Sequence, residues 1–227
     1  MDSRHKFGEK KWVGLPGQVF AFEILGLLNR PFEFVPRRST RWQKYLHVGC
    51  GTVLLNDFLN LDYYSPKLLI KKLFKMVPSS KVFRGHDLRR PLPFGDNSFE
   101  GAFSEHTLEH IDPFNAANLL KEIHRVLKPD SYFRIVVPDL DRYLDFCNGK
   151  MPDKQFEKFA GGAESIWSLT QNWGHQSVWN SLTLGKYLEE AGFRDVKKVS
   201  FGKGSNPALI HDLKRRSWES LYMEARK

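Results

Sequence analysis

Gly49-Cys50-Gly51 directly follows a short run of strand-forming residues, Lys44–Val48. Glycines there let the backbone approach a ligand closely and turn sharply toward a helix N-terminus, which is an anion site. A Gly-X-Gly step alone is common, so its company decides the chemistry. A dinucleotide-binding dehydrogenase continues to a third glycine and carries an acid about 20 residues on. Here Leu54 holds the third-glycine position and the strand-end acid, Asp62, comes eleven residues after Gly51, which argues against hydride transfer. Asp62 closes the segment FLNLD, from where a carboxylate can accept both hydroxyls of a ribose. His86-Asp87-Leu88 closes a third strand, where a carboxylate can accept an adenine amino group while the next amide donates to the ring. Further on, His106-Thr107-Leu108-Glu109-His110 matches H-x-x-E-H, a zinc-protease pattern with two histidines one turn apart and a carboxylate between them.

The elements that must position these residues alternate. Strands are predicted at Lys44–Val48, Phe58–Asp62, Lys81–Arg84, Phe99–Ser104, Tyr132–Val137, Val196–Phe201 and Trp218–Glu224. A basic helical stretch covers Pro66–Met76. Pro113–Leu127 has helical apolar spacing with proline in its first turn, and Lys128-Pro129-Asp130-Ser131 punctuates it. A helical region of mixed polarity spans roughly Leu140–Ser168, and Leu182–Ala191 is a helix stopped by Gly192. Such alternation predicts an α/β fold, a parallel sheet with helices on both faces and ligands bound outside the carboxyl ends of the strands. Residues 1–43 precede the first strand as an N-terminal extension. Their Val19–Leu28 segment is apolar nearly all round, a buried helix or a lid.

The segments "GCG … D", HDLRRPLPFGDNSFE, SEH and RVLKPD, taken together, resemble the class I S-adenosylmethionine-dependent methyltransferases, in particular the type 11-like branch. The resemblance runs from about Lys44 to the end, through a late His175–Phe193 segment and a terminal SLYMEAR that looks like the family's antiparallel last strand. It implies a doubly wound, Rossmann-like, mostly parallel seven-stranded sheet over residues 44–227. It implies S-adenosylmethionine as cofactor, with Gly49, Cys50 and Gly51 beneath the methionine moiety, Asp62 on the ribose, and Asp87 with Leu88 on the adenine. Ser104, Glu105 and His106 would face the reactive methyl. Methyl transfer is an in-line displacement, so the site must align nucleophile, methyl and sulfur, exclude water, and sometimes remove a proton. Among Glu105, His106, His110 and His175, His106 is the first candidate base because it lies just past the fourth strand; His175 is the second. No metal is expected, since the methyltransferase pattern accounts for the H-x-x-E-H surroundings and that segment begins at a strand end. Three departures stand out: His47 where the superfamily usually has an acid, Val53 in place of a glycine, and Asp130-Ser131 in place of Gly-Gly. The short gap to Asp62 leaves room for only about one or two helical turns after Gly51.

Composition bounds the partners. The chain has 227 residues, is 41% hydrophobic and 27% charged, and carries a formal net charge of +9. That excludes a disordered or fibrous protein. The longest apolar stretch is ten residues and contains Glu23, whereas a membrane-spanning helix needs about 20. With no secretory signal and only Cys50 and Cys147, a cytoplasmic location is expected. Basic residues cluster in 1–44, 66–90 and 197–227. The acceptor expected from the resemblance is a small molecule or a glycan- or lipid-linked intermediate. An RNA methyltransferase is the second reading, resting on the basic clusters without any recognisable RNA-binding module. A non-catalytic binding protein of the same fold is the third, resting on His47 and Val53. The sequence leaves the oligomeric state open.

Overall fold

A computed structural model describes residues 43–62 and 81–227, together with Ile24. The rest of the 1–43 extension and of the Val19–Leu28 segment, the basic stretch Pro66–Met76, and Lys67, Lys71, Lys72 and Lys75 lie outside the described residues. Among the described residues no helix is long and apolar enough to cross a membrane.

Seven strands form one sheet: β1 (Tyr45–Val48), β2 (Phe58–Asp62), β3 (Val82–Gly85), β4 (Phe99–Glu105), β5 (Leu127–Pro138), β6 (Arg194–Val199) and β7 (Ser220–Arg226). Their order is β3-β2-β1-β4-β5-β7-β6, with β1 to β5 parallel and β7 antiparallel to both β5 and β6. This is the doubly wound, mostly parallel sheet with an antiparallel last strand. Among the described residues from 43 on, four α-helices accompany it: α1 (Pro113–Val126), α2 (Leu140–Cys147), α3 (Gly162–Gln171) and α4 (Ser181–Glu190).

Local chemistry sets the boundaries. Asp112 caps α1 by accepting from the Phe114 and Asn115 amides, and Pro113 fills the first helical position. The α1 stripe Ala116, Leu119, Leu120, Ile123 and Val126 is buried against the sheet face that carries Leu46, Val48, Ile135 and Val137. The Lys128-Pro129-Asp130-Ser131 turn falls inside β5 as an irregularity. Pairing jumps from Phe99–Leu127 to Gly101–Tyr132, and Asp130 has φ 63°.

The connection from β1 to β2 departs from expectation. No helix follows Gly51, so the helix N-terminus expected there is absent, and residues 49–57 hold a single turn in which the Val53 amide donates to Cys50. Asn60 anchors this loop. Its side chain accepts from the Leu55 amide and donates to the Leu55 carbonyl, and it also donates to the Phe58 and Val82 carbonyls at the starts of β2 and β3.

Reversal of strand order at β1 opens a crevice at the carboxyl ends of β1 and β4. Gly49, Asp62, His86-Asp87 and His106 lie just where these ends meet the loops.

Candidate active site

A cleft of about 240 Å³ at this crevice is lined by Gly49, Gly51, Asp62, Asp87, Leu88 and His106, with Thr107, His110 and Gln176 closing it. Gly49 (φ 70°) and Gly51 (φ 51°) both occupy the left-handed region that glycine enters at little cost. The Gly51 amide donates to Asp62 Oδ2 at 2.6 Å, so the loop and the end of β2 are tied together. Asp87 is clamped by Arg89: its Oδ1 accepts from the Arg89 amide at 3.0 Å, and its Oδ2 pairs with Arg89 Nη2 at 2.9 Å. A carboxylate oxygen has more than one lone pair, so this clamp orients Asp87 and leaves acceptor capacity on it.

Other expected contacts lie elsewhere. Cys50 is buried, and burial together with the Asp62 charge pushes its thiol well up, so it stays protonated. Glu105 turns away from the cleft and accepts from the Leu213 amide at 2.9 Å; burial raises its carboxyl. Ser104 is buried in β4. Neither Cys50, Ser104 nor Glu105 is among the residues that line the cleft.

His47 is also outside it. The ring lies among Phe58, Phe103 and His211 on the opposite face of the sheet, with Nδ1 3.1 Å from Asn60 Oδ1. Burial lowers its pKa to about 4, so it is a neutral core histidine.

His106 has both ring nitrogens engaged. Arg216 Nη1 lies 3.0 Å from Nδ1 and can only donate, which makes Nδ1 the acceptor. Nε2 then carries the proton and donates to Ser220 Oγ at 2.8 Å, whose own hydroxyl donates to the Arg216 carbonyl at 2.7 Å. Glu109 Oε1 also lies 3.2 Å from Nδ1, so the ring is held in place from both sides. His106 forms a wall. It lines the cleft on one side and, on the other, a second cavity of about 300 Å³ lined by Tyr143, Lys158, Trp173, His175, Arg215 and Trp218.

The 175–177 loop folds back over the sheet. Gln176 and Ser177 amides donate to the Glu109 carbonyl, and the Gln176 side chain donates to the His110 carbonyl. His175 therefore lies in the second cavity, with its Nδ1 donating to the Leu169 carbonyl at 2.6 Å. Glu109 is not a helix cap. It is 1% exposed in a short 3₁₀ turn, Leu108–His110, and makes no cap bond. Burial would raise its carboxyl, but the surrounding His106, His110 and His175 hold it at about 2.

Of the tryptophans, Trp179 is core, Trp173 lines the second cavity, and Trp167 is exposed. Sequence reasoning missed Thr107, Arg216, Ser220, Lys158, Arg215 and Trp218. The Arg215-Arg216 pair was visible only as part of a basic tail. Its role depends on meeting residue 106, which no local pattern encodes.

Residues 46–135 match the family described as a methyltransferase domain. The chain is 29% identical over 171 residues to an uncharacterised methyltransferase of Synechocystis, covering 72% of each. Its fold is that of an S-adenosylmethionine-dependent methyltransferase from Archaeoglobus fulgidus, at TM-score 0.50 and 16% identity over 92% of this chain and 99% of that one. A second match is the apo form of the methyltransferase SibL, at TM-score 0.53 and 16% identity, over 93% of this chain and 59% of that one. Taken with the strand order and the cleft at the carboxyl ends of β1 to β4, these matches support a class I S-adenosylmethionine-dependent methyltransferase, with the methyltransferase-domain match lying over residues 46–135.

Proposed function

We propose that this methyltransferase passes the methyl group of S-adenosylmethionine to an anionic acceptor, a small molecule or a glycan- or lipid-linked intermediate, seated in the second cavity. The observation that carries the reading is His106, a single side chain shared by the cofactor cleft and a cavity furnished with Lys158, Arg215 and Arg216.

The cofactor fits the residues present. Two carboxylates, Asp62 and Asp87, stand at one cleft with the apolar side chains of Leu88 and Ile111 beside them, the acceptors and apolar walls a nucleoside requires. When bound there, S-adenosylmethionine supplies an electrophilic methyl on a sulfonium. Asp62 then takes the ribose hydroxyls, and Asp87 with the Leu88 amide takes the adenine. Gly49 and Gly51 leave room for the methionine moiety. His106, fixed by Arg216 and Ser220, aligns the acceptor in this reading and moves no proton.

The cavity selects the acceptor by charge and by aromatic surface. Lys158 Nζ lies 3.6 Å over the Trp218 ring, and Tyr143 donates to Glu219 at 2.6 Å, so the aromatic walls are held by polar contacts at their rims. Arginines beside such walls recognise carboxylate or phosphate through paired N–H groups. Part of the basic excess is already used internally: Arg84 is buried over Phe94, Lys227 is bonded to Asn97, and Lys198 pairs with Asp139. That leaves the RNA reading with less support than composition gave it.

Asp62→Ala is expected to weaken S-adenosylmethionine binding about ten- to a hundredfold by calorimetry, the equivalent of roughly 1.5–3 kcal/mol for a charge-assisted contact. Equal binding by variant and wild type would remove the ribose assignment. For the acceptor, Arg215→Glu is expected to raise the KM of an anionic acceptor about tenfold or more while cofactor affinity stays constant. If the best acceptor in a screen of charged and neutral candidates is cationic, or its KM ignores Arg215, the cavity is not the acceptor site.

A further inference from the structure

We propose that Glu109, His110 and His175 form a binding site for one divalent transition-metal ion of the zinc type, set in the partition between the cofactor cleft and the second cavity. One donor atom from each of the three residues lies within 4.8 Å of the others. Two donors on one tetrahedral zinc ion at about 2.0–2.2 Å stand about 3.3–3.6 Å apart, so side-chain rotations that draw the donors together by up to about 1.5 Å close the set.

The strongest pointer is the Glu109 carboxylate. It is 1% exposed, and neither of its oxygens receives a hydrogen bond. A buried carboxylate without hydrogen-bond donors is unfavourable unless a cation stands beside it. The nearest polar neighbours of Oε1 are His106 Nδ1 at 3.2 Å, which Arg216 Nη1 also approaches at 3.0 Å, and His110 Nε2 at 3.9 Å.

The histidines are oriented as ligands. His175 donates its Nδ1 proton to the Leu169 carbonyl, which fixes the tautomer and leaves the Nε2 lone pair for a metal. A backbone carbonyl behind a ligating imidazole is the usual outer-sphere partner. The amides of Gln176 and Ser177 on the Glu109 carbonyl, with Gln176 on the His110 carbonyl, lock the two ligand segments together before any ion binds. His106 is excluded from the set because Arg216 and Ser220 hold both its nitrogens. The H-x-x-E-H pattern therefore does not act as a protease histidine pair. Its Glu109-His110 half joins a histidine from the far loop instead.

Two imidazoles and one carboxylate are the three-protein-donor set of a zinc site with an open fourth position. His110 lines the cleft and His175 the cavity, so the ion lies where a donor atom of the acceptor can reach it. The site does not depend on the acceptor reading and is tested without methyl donor or acceptor.

Full-length protein is stripped with EDTA, dialysed and titrated with Zn²⁺ by calorimetry, and with Co²⁺ by its visible absorption, whose intensity reports tetrahedral coordination. We expect one equivalent per chain and a higher Tm with Zn²⁺. Glu109→Gln and His175→Gln should each weaken binding about a hundredfold or more, while His124→Gln, remote from the site, binds as wild type does. Circular dichroism of the metal-free ligand variants should match wild type, which shows that they fold. Substoichiometric or no Zn²⁺ binding by wild type overturns the proposal. So does binding by both ligand variants equal to that of wild type.

Discussion

Replacing Arg134 by methionine is expected to lower the unfolding free energy by about 3–5 kcal/mol, the range for removing one partner of a buried ion group. Arg134 sits in β5 with its side chain 0% exposed. Its Nε and Nη2 grip Asp212 at 2.8 and 2.6 Å, and its Nη1 reaches Glu224 on the neighbouring β7 at 3.1 Å. A further bond runs to the Lys203 carbonyl at 2.9 Å. Burial works against the guanidinium charge, but Asp212 and Glu224 outweigh it and raise its pKa. Methionine fills a similar volume and leaves two carboxylates, each 1% exposed, facing one another without a cation. At about 2–4 °C per kcal/mol for a domain of this size, the melting point should fall by roughly 6–20 °C. Adding Asp212→Asn and Glu224→Gln to Arg134→Met should recover much of that loss, since no buried charge then lacks a partner. A melting point within a few degrees of wild type for the single variant would mean that water reaches these carboxylates.

Arg134 also marks where reading the sequence stops. The run YFRIVV is legible as a buried strand because five of its six residues are apolar or aromatic. An arginine within it gives no hint of Asp212 or Glu224, which lie far along the chain. The strand-end carboxylates Asp62 and Asp87 were legible for the opposite reason. Each closes a short apolar run, and the parallel topology alone brings such ends to one crevice. The seven strands and α1 followed from periodicity and from Pro113, with ends within a few residues except at β5. In place of the helix expected after Gly51 stands a loop whose Leu55 amide and carbonyl are bonded by the Asn60 side chain, and propensity does not register a side-chain contact of that kind. His106 was placed at the right strand end, yet its hydrogen-bond state depends on Arg216 and Ser220, contributed by the chain's last segment. The second cavity is assembled from α2, the 154–175 region and residues 215–219, so no local motif announces it.

Gly49→Ala is the substitution expected to damage both stability and cofactor binding, at about 2–5 kcal/mol. Two costs add. A non-glycine residue at φ 70° pays roughly 1–2 kcal/mol for its left-handed backbone. The new Cβ would also stand 2.0 and 2.1 Å from Oγ1 and Cγ2 of Thr107, and relieving such overpacking typically costs about 1–3 kcal/mol more. Thr107 cannot simply rotate away without losing its bond from Oγ1 to the Gly49 carbonyl at 3.1 Å. The backbone must therefore shift, and it carries the Gly51 amide that orients Asp62. Cofactor affinity should then fall at least as far as in Asp62→Ala. Gly51→Ala separates the two costs. Its φ is 51° but nothing lies within 4 Å of the added Cβ, so only the backbone term of about 1–2 kcal/mol applies. Thr107→Gly in the Gly49→Ala background should restore part of the melting point and part of the affinity by removing the collision. Equal damage from Gly49→Ala and Gly51→Ala, or no rescue by Thr107→Gly, would show that backbone strain alone, and not the packing of Thr107 against β1, fixes the loop beneath the cofactor.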